Sequence, residues 1–314
     1  MQLYSFLCTR LSLSKQEISL FALSAPKKYK IYSIPKRTSG TRVIAHPSKK
    51  LKNYQRVLVE HLEKILPVHS AALAYRKGLG IKDNAELHKN GRFLLKMDFQ
   101  NFFPSITPEL LFDVLSDLDL EFDKEDKYLL SRLLFCNMSK TDGGSLRLSI
   151  GAPSSPLISN VVMFRFDEHL SAECKRKGVR YTRYADDLTF STNVNEVLFD
   201  IPSTVSAMLR GYLKGRIFIN EAKTIFSSKA HNRHVTGITI TNDGNISVGR
   251  KRKRCLSSMI HRFSLGMLPK DDMDYLRGLF SFVIDIEPQY KEKMITKYSL
   301  SIIDAIIRGD CNEK

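Results

Sequence analysis

Two acidic sites at predicted strand ends have the residue types and spacing for chemistry. The mainly apolar run 93–97 has the length of a strand and ends in Asp98. Asp186-Asp187 lies between two β-favouring runs, which predicts a hairpin turn that carries both acids. Three carboxylates from neighbouring strand ends could hold two Mg²⁺ ions roughly 4 Å apart. Such a pair would activate an attacking hydroxyl and stabilise a leaving pyrophosphate, which is the chemistry of nucleotidyl transfer.

The acid pair is not specific by itself. Asp is common in turns because its side chain hydrogen-bonds to nearby backbone, and a strand that ends in Asp is a weaker signal still. The metal hypothesis therefore depends on the motifs that accompany these acids.

The elements that must position the acids follow from the hydrophobic periodicity. Strands are predicted over 27–36, 41–46, 92–98, 179–184 and 188–192, with further short strands within 216–240. The first two form a basic hairpin with a turn at Ser39-Gly40. Helices are predicted over 1–25, 48–66, 108–118, 124–136, 156–176, 202–214 and much of the chain after 250. Strands and helices do not alternate strictly, which predicts an α+β fold.

The charge of the chain predicts a polyanionic partner. Its 314 residues contain 49 Lys and Arg against 33 Asp and Glu, a net charge of +16, so nucleic acid is the simplest partner. No apolar run has the length of a membrane helix, and no signal peptide is recognisable, so we expect a cytoplasmic protein without a membrane partner. Five scattered cysteines disfavour a disulfide framework or structural zinc and suit a reducing compartment.

Three motifs in order resemble those of reverse transcriptases. Tyr184-Ala185-Asp186-Asp187 resembles the Tyr-x-Asp-Asp palm motif, and the segment 98–106 resembles the palm motif that supplies the third carboxylate. Gly151-Ala152-Pro153-Ser154-Ser155-Pro156 resembles the motif between them. The resemblance covers about residues 27–300. It implies a right-hand polymerase with an antiparallel palm sheet and a helical thumb. Fingers would span 1–90, the palm with a finger insertion 91–248, and the RNA-binding thumb 249–314.

The resemblance also implies roles for individual residues. Asp98, Asp186 and Asp187 would bind the two Mg²⁺ ions, and Lys223 would assist catalysis near the pyrophosphate. The substrate deoxynucleotide would be bound by Lys36, Arg42, Phe103 and Ala152. Arg42 would clamp the triphosphate through its paired donors. The ring of Phe103 would clash with a ribose 2′-hydroxyl, although packing in the core is the more ordinary role of a Phe.

Two segments resemble the retron enzymes in particular. Asn84 and His88 belong to an Asn-Ala-x-x-His segment, and Val235-Thr236-Gly237 resembles an element that helps recognise the cognate RNA. Each could also be an ordinary helix start or strand end. Further RNA binding is expected from a basic run at a predicted helix start, where cations oppose the helix dipole and so need another reason to be present. That run is Arg250, Lys251, Arg252, Lys253 and Arg254.

If the retron resemblance holds, the template is a structured non-coding RNA. Priming from an internal guanosine 2′-hydroxyl would then give a branched RNA–DNA product, msDNA. A role in anti-phage defence, with a separate effector protein, is also implied.

Two rival functions stay open. The first is another prokaryotic reverse transcriptase of the group II intron or diversity-generating type, although 314 residues leave no room for the maturase domain of the intron enzymes. The second is a non-catalytic RNA-binding scaffold. Ile150 favours that rival, because the family usually has Gln there to contact the nucleotide. The three retained carboxylates oppose it, since like charges are costly to keep together.

Overall fold

In the computed structural model, which describes residues 3–36 and 40–309, helices and strands occur in a mixed order. The helices are α1 (Leu3–Leu11), α2 (Lys15–Ser24), α3 (Lys49–Leu62), α4 (Ile81–His88), α5 (Phe102–Ser105), α6 (Pro108–Asp117), α7 (Lys124–Leu134), α8 (Ser155–Val162), α9 (Phe164–Arg176), α10 (Ile201–Tyr212), α11 (Arg250–Ser264), α12 (Met273–Ile286), α13 (Gln289–Tyr298) and α14 (Leu300–Arg308). The strands are β1 (Tyr29–Pro35), β2 (Thr41–Pro47), β3 (Phe93–Gln100), β4 (Cys136–Asn137), β5 (Leu146–Arg147), β6 (Arg180–Tyr184), β7 (Asp187–Thr192), β8 (Phe218–Ile219), β9 (Ile225–Ser228), β10 (Arg233–Val235), β11 (Ile238–Ile240) and β12 (Ile246–Ser247). The predicted α+β class is confirmed.

The chain divides into two compact units. The first contains the residues up to Gly78 together with Leu95–Phe226, and the second contains Leu79–Leu94 together with the chain from Ser227 onward. These units do not test the predicted fingers, palm and thumb boundaries, which stay a prediction. Among the described residues, no helix is both long and apolar enough to cross a lipid bilayer.

A sheet in the order β6-β7-β3-β8, with β9 also paired to β3, carries the acids in the first unit. Leu94, Leu95, Met97 and Phe99 of β3 are all buried. Such a near-continuous apolar run is typical of a strand covered on both faces. Asp98 is therefore a carboxylate two residues before the end of an internal strand, with only 7% of its surface exposed.

The basic hairpin predicted from alternation is present as β1 and β2. Their antiparallel register runs from Tyr29 opposite Pro47 to Pro35 opposite Thr41. Ser39 of the predicted turn lies outside the described residues. A backbone hydrogen bond attaches the hairpin to the chain around residue 150, where the Ala45 amide donates to the Ile150 carbonyl at 3.0 Å. Next to this bond Gly151 has φ +117°, and a Cβ there would approach Ile44 to 3.3 Å, so this close approach requires glycine.

Two of the predicted helices are each divided into two. The described part of the predicted helix 1–25 forms α1 and α2, because Ser14 and Glu17 build a capping box that starts the second helix. Residues 156–176 form α8 and α9, with Met163 outside helical geometry between them at ψ 1°. Val161 and Val162 precede that break, and β-branched residues restrict side-chain rotamers in a helix. Periodicity continued across both breaks, so the sequence pattern did not reveal them.

The second unit combines the antiparallel sheet β10-β11-β12 with α4 and α11–α14. Its core includes Leu256 of α11, Phe280 of α12 and Ile303 of α14. A buried carboxylate, Glu287, connects the sheet to the helices. It accepts from Ser247 Oγ and the Val248 amide, both at 2.9 Å, and from Lys253 Nζ at 2.5 Å. One side chain thus joins the end of β12, the first turn of α11 and the end of α12.

We predict that Glu287→Ala destabilises the second unit by about 2–3 kcal/mol, because the substitution leaves buried donors without a charged acceptor. Chemical denaturation measures the loss, and hydrogen exchange at the Val248 amide localises it. Glu292→Ala, which removes an exposed carboxylate from α13, is the matched control and should change stability by less than about 0.5 kcal/mol. Equal effects of the two substitutions would contradict the structural role of Glu287.

Candidate active site

The acidic turn joins β6 to β7 with two residues. Tyr184 pairs with Asp187, so Ala185 and Asp186 form the turn itself. Ala185 lies in the left-handed region at φ 58°, an uncommon conformation for a residue with a Cβ. The amide of Phe99 donates to the Asp186 carbonyl at 3.1 Å, which attaches the turn to β3 directly beside Asp98. The predicted hairpin is confirmed, and the structure brings its acids to the predicted strand end.

A lysine meets these acids from a neighbouring segment. Lys223 Nζ lies 2.8 Å from Asp98 Oδ2, and the amide of Asn220 donates to the Asp98 carbonyl at 2.7 Å. The Lys223 side chain is 56% exposed, whereas that of Asp98 is 10% exposed. An ammonium thus reaches from the solvent side to a mostly buried carboxylate.

Burial and the charges of neighbouring acids raise the pKa of both carboxyl groups in the turn. Desolvation first, and then the charges of Asp186 and Asp98, raise the pKa of Asp187 to about 6, although this side chain also reaches solvent. Desolvation and the charge of Asp98 likewise raise the pKa of Asp186. Lys223 acts in the opposite direction on both. The turn therefore holds excess negative charge that a nearby cation would stabilise.

The donor set suits a hard divalent cation. Carboxylate oxygens are the ligands that Mg²⁺ prefers. Within residues 3–36 and 40–309 no group of three or more His, Cys, Asp or Glu side chains is arranged as a preformed metal centre. Asp98 instead bonds to Lys223. The residues fit a cation by their chemistry and mutual charge, and binding would require Asp98 to exchange its ammonium partner for the ion.

A cleft of about 1020 Å³ opens beside the turn. Its lining includes Asp98, Asp186 and Lys223, while Asp187 lies outside that lining, at the start of β7. All four predicted nucleotide-binding residues also line it, namely Lys36, Arg42, Phe103 and Ala152. Ile150, where the family usually has Gln, is half-buried in the same lining and offers an apolar surface there.

Sequence patterns missed Tyr75, which lines the same cleft. Its ring centroid lies 6.5 Å from that of Phe103, and the two rings meet edge to face. Nothing in the surrounding residues marks this tyrosine by periodicity or spacing. Only the tertiary structure brings it to the site.

The sequence analysis also missed a polar network behind the acidic turn. Arg183 and Asp167 are fully buried and paired, with Nη2 to Oδ2 at 2.6 Å and Nε to Oδ1 at 2.9 Å. Tyr181 adds a hydrogen bond to Asp167 at 2.7 Å. Arg183 Nη1 donates to the Ala185 carbonyl at 3.0 Å and so contacts the turn itself. The available signal was a charged residue inside a buried strand, which needs a partner.

A basic groove of about 700 Å³ occurs on the hairpin side of the first unit. None of the described residues that line it is acidic, and lysine and arginine supply seven of them: Lys27, Lys28, Lys30, Lys49, Lys52, Arg56 and Lys140. Lys52 and Arg56 also line the cleft, so the two concave surfaces are continuous. Net charge predicted a polyanion-binding surface, but sequence reasoning did not assign these lysines to it.

The predicted RNA-recognition residues come together within the second unit. Asn84 Nδ2 lies 3.5 Å from Thr236 Oγ1, and Arg252 Nη1 donates to the Gly237 carbonyl at 2.7 Å. Asn84, His88 and Val235 are buried, however, so their side chains do not face solvent. Of the five predicted residues, Thr236 and Gly237 are therefore the ones that offer surface to an RNA in this conformation.

The basic run at the start of α11 is divided in the same way. Arg252 donates to Gly237, and Lys253 pairs with Glu287. The exposed members of the run are Arg250, Lys251 and Arg254. Two of the five charges therefore help to hold the second unit together, and three face solvent.

We predict that Asp187→Asn increases stability at pH 8 when EDTA removes divalent cations. A carboxyl group whose pKa is raised from 3.8 to about 6 binds its proton more tightly in the folded state, so stability falls as pH rises through this range. Chemical denaturation at several pH values measures the gain, which should shrink toward pH 5. Asp271→Asn, which removes an exposed carboxylate elsewhere, should show no such trend. A gain that is independent of pH would contradict the electrostatic cause.

Comparison with known proteins assigns the chain to a family. Residues 34–240 match the family model described as reverse transcriptase (RNA-dependent DNA polymerase). The chain is 47% identical to the retron Ec83 reverse transcriptase of Escherichia coli, covering 88% of this chain and 89% of that protein. It is 31% identical to the retron Ec73 reverse transcriptase of the same species, with 95% of each covered.

A solved structure shows the same fold at low sequence identity. Apo telomerase from Candida tropicalis aligns with a TM-score of 0.50 at 12% identity, covering 96% of this chain and 67% of that one. The predicted right-hand polymerase fold is thereby confirmed. With its palm motifs, its acidic turn and its close relatives, the chain belongs to the retron reverse transcriptases of bacteria, which are RNA-directed DNA polymerases.

Proposed function

We propose that Asp98, Asp186 and Asp187 are the catalytic carboxylates of DNA synthesis on an RNA template, and that the divalent ions they bind are Mg²⁺. The observation that carries this proposal is the position of the three acids at one end of β3 and β7, beside a cleft of nucleotide size. Bound Mg²⁺ would activate the primer hydroxyl and stabilise charge on the leaving pyrophosphate. The fingers, palm and thumb assignments to residues 1–90, 91–248 and 249–314 belong to the same proposal.

The other side chains of the cleft have separate roles in binding the nucleotide and stabilising its charge. Arg42 presents paired donors to the triphosphate, and Lys36 adds a second positive charge. Phe103 excludes a ribose 2′-hydroxyl by contact. Lys223 balances the acids until substrate binds and then lies close enough to the phosphates to donate a proton or stabilise their charge. Ala152 and Ile150 provide the apolar surface under the nucleotide.

The template proposed for this enzyme is a structured non-coding RNA, in line with its retron relatives. Priming starts from an internal guanosine 2′-hydroxyl and leaves a branched RNA–DNA product. The complex acts in the cytoplasm in anti-phage defence, together with an effector protein. The net charge of +16 and the exposed Arg250, Lys251 and Arg254 support a stable RNA complex. Thr236 and Gly237 supply the accessible part of the recognition element.

The basic groove is a suitable path for the single-stranded part of that RNA. Its cations give affinity for phosphates of any sequence. Lys30, Lys49 and Lys140 form no ion pair with the described part of the chain, so their charges are available to phosphate. Continuity with the cleft through Lys52 and Arg56 would deliver the template strand toward the acids.

We predict that Asp186→Asn and Asp187→Asn each abolish DNA synthesis while RNA binding is retained. Primer extension on the RNA that co-purifies with the protein, with Mg²⁺ and the four deoxynucleotides, measures this loss. Loss of one metal ligand should lower the rate by at least about a hundredfold. Omission of Mg²⁺ should have the same effect on the intact protein.

The product decides between the proposed function and its rivals. DNA that stays attached to RNA until it is debranched supports self-priming. Extension only from an added primer would assign the chain to another reverse transcriptase type. Tight RNA binding without any DNA synthesis would leave the RNA-binding scaffold.

We predict that the triple change Lys30→Gln, Lys49→Gln and Lys140→Gln weakens binding of RNA that carries a single-stranded template extension. The slope of log affinity against log salt should fall by about 2, since each lost single-strand phosphate contact removes about 0.7. Titration at several salt concentrations measures the slope. The matched control changes three exposed lysines away from the groove, Lys64, Lys124 and Lys175, to Gln. An equal change of the slope in the control would show that net charge alone causes the effect, and the groove assignment would then be wrong.

A further inference from the structure

Tyr75 has an unusual backbone for a cleft residue. Its φ is +65°, in the left-handed region that residues with a Cβ seldom adopt, and its ring is 53% exposed. A large, half-exposed aromatic ring in a disfavoured conformation needs a reason, since surrounding structure must hold such a residue in place. The ring meets Phe103 edge to face inside the cleft, so it lies beside the residue proposed to sense the sugar.

The backbone that leads to Tyr75 is held by the strand that leads to the acidic turn. The Arg183 amide donates to the Ala71 carbonyl at 2.8 Å, and the Leu73 amide donates to the Arg183 carbonyl at 2.9 Å. The segment 71–74 therefore lies along the start of the Tyr184-Ala185-Asp186-Asp187 hairpin as an additional backbone partner. Tyr75 follows this shared pairing by two residues and Asp186 follows it by three, so the positions of both are set close to it.

A side-chain clamp completes the connection. Asn160 of α8 is buried and donates through Nδ2 to the Ala74 carbonyl at 3.0 Å, directly before Tyr75. Its Oδ1 accepts from Arg183 Nη1 at 3.1 Å. The same Nη1 donates to the Ala185 carbonyl in the turn. Two side chains thus link the residue before Tyr75 to the residue before Asp186.

The charge of the clamp is compensated within the protein. Arg183 is fully buried, and its guanidinium bonds to Asp167, Asn160 and the Ala185 carbonyl together. A planar guanidinium has a fixed donor geometry, so these bonds define positions as well as supply energy. Fully satisfied buried networks of this kind favour one arrangement over its alternatives.

We propose that Tyr75 forms the second wall of the sugar pocket, facing Phe103, and that Asn160 and Arg183 are the positioning residues that hold this wall in register with the catalytic turn. The proposal rests on the nucleotide pocket described under the proposed function. Phe103 excludes a 2′-hydroxyl only if the sugar cannot move away from its ring. Tyr75 supplies that restraint from the other side, because the two rings are in contact at the mouth of the same cleft.

The first test measures incorporation of deoxynucleotides against ribonucleotides as a ratio of kcat/KM values. This ratio does not depend on the fraction of enzyme that is folded, so a purely structural defect would not change it. Tyr75→Ala should lower the ratio about tenfold, and Tyr75→Phe, which keeps the ring, should retain it. Tyr128→Ala, which removes an exposed ring from α7, is the matched control and should leave the ratio unchanged.

The second test addresses the clamp. Asn160→Leu keeps most of the side-chain volume and removes both hydrogen bonds, so it should lower the ratio in the same direction as Tyr75→Ala. Ser159→Ala is the matched control on the same helix, because the buried Ser159 hydroxyl donates to the Pro156 carbonyl of α8 and makes no bond to Tyr75 or the turn among the described residues. An unchanged ratio in Asn160→Leu, whatever happens to the rate, would reduce Asn160 to a stability role and overturn the positioning claim.

Phe103→Ala separates failure of this inference from failure of the proposed pocket. If Phe103→Ala lowers the ratio and Tyr75→Ala does not, Phe103 still lines the sugar pocket and the role proposed for Tyr75 is wrong. If neither substitution changes the ratio, the sugar pocket lies elsewhere and both assignments fail. The expected result is a lower ratio in both Phe103→Ala and Tyr75→Ala, and an unchanged ratio in Tyr75→Phe and Tyr128→Ala.

Discussion

The buried ion pair between Arg183 and Asp167 is the interaction on which the rest of the site depends. Removing either partner would leave an uncompensated charge in the core of the first unit, at a cost of about 3–5 kcal/mol. The pair also has a directional role. Because Arg183 belongs to β6 and contacts the Ala185 carbonyl, the ion pair positions a turn whose backbone is itself disfavoured. Stability and geometry are therefore supplied by the same side chain.

The acids in front of this pair, in contrast, are arranged unfavourably for stability. Asp98, Asp186 and Asp187 repel one another, and desolvation together with that repulsion raises the pKa of Asp186 and of Asp187. Lys223 relieves part of it through Asp98. A protein selected only for stability would not keep such a cluster, whereas an enzyme that must bind divalent cations requires it. The strong support behind the turn makes this unfavourable arrangement tolerable.

Positive charge is used in two distinct ways across the chain. Some cations are committed to internal partners, as Lys253 is to Glu287 and Arg252 to Gly237. Others lie exposed at the start of α11 or, like Lys30, Lys49 and Lys140, line the basic groove without an ion pair in the described part of the chain, so an external anion can compensate them. A count of lysines and arginines cannot separate these groups, since the distinction depends on which carboxylates and carbonyls each side chain reaches. The same holds for Asn84 and His88, whose family motif suggested contact with RNA but whose side chains are buried.

The sequence by itself determined the α+β class, the family and the order of the three palm motifs. These features are local: an acid lies close to the end of β3, and the hairpin turn that follows β6 carries two more. Periodicity also located most helices and strands, although it ran through the breaks at Ser14 and Met163. It could not detect them because capping and a single non-helical residue leave the hydrophobic repeat intact.

Only the tertiary structure decided which distant residues meet. It brought Lys223 to Asp98, Tyr75 to Phe103, and Asn160 to the backbone before Tyr75, in each case between segments far apart in the chain. No pattern of neighbouring residue types encodes such pairs, because long-range contacts depend on how the sheet orders its strands and how the helices cover it. Arg183 illustrates the boundary: the sequence contained a buried-strand arginine that needed a partner, and only folding showed that the partner is Asp167.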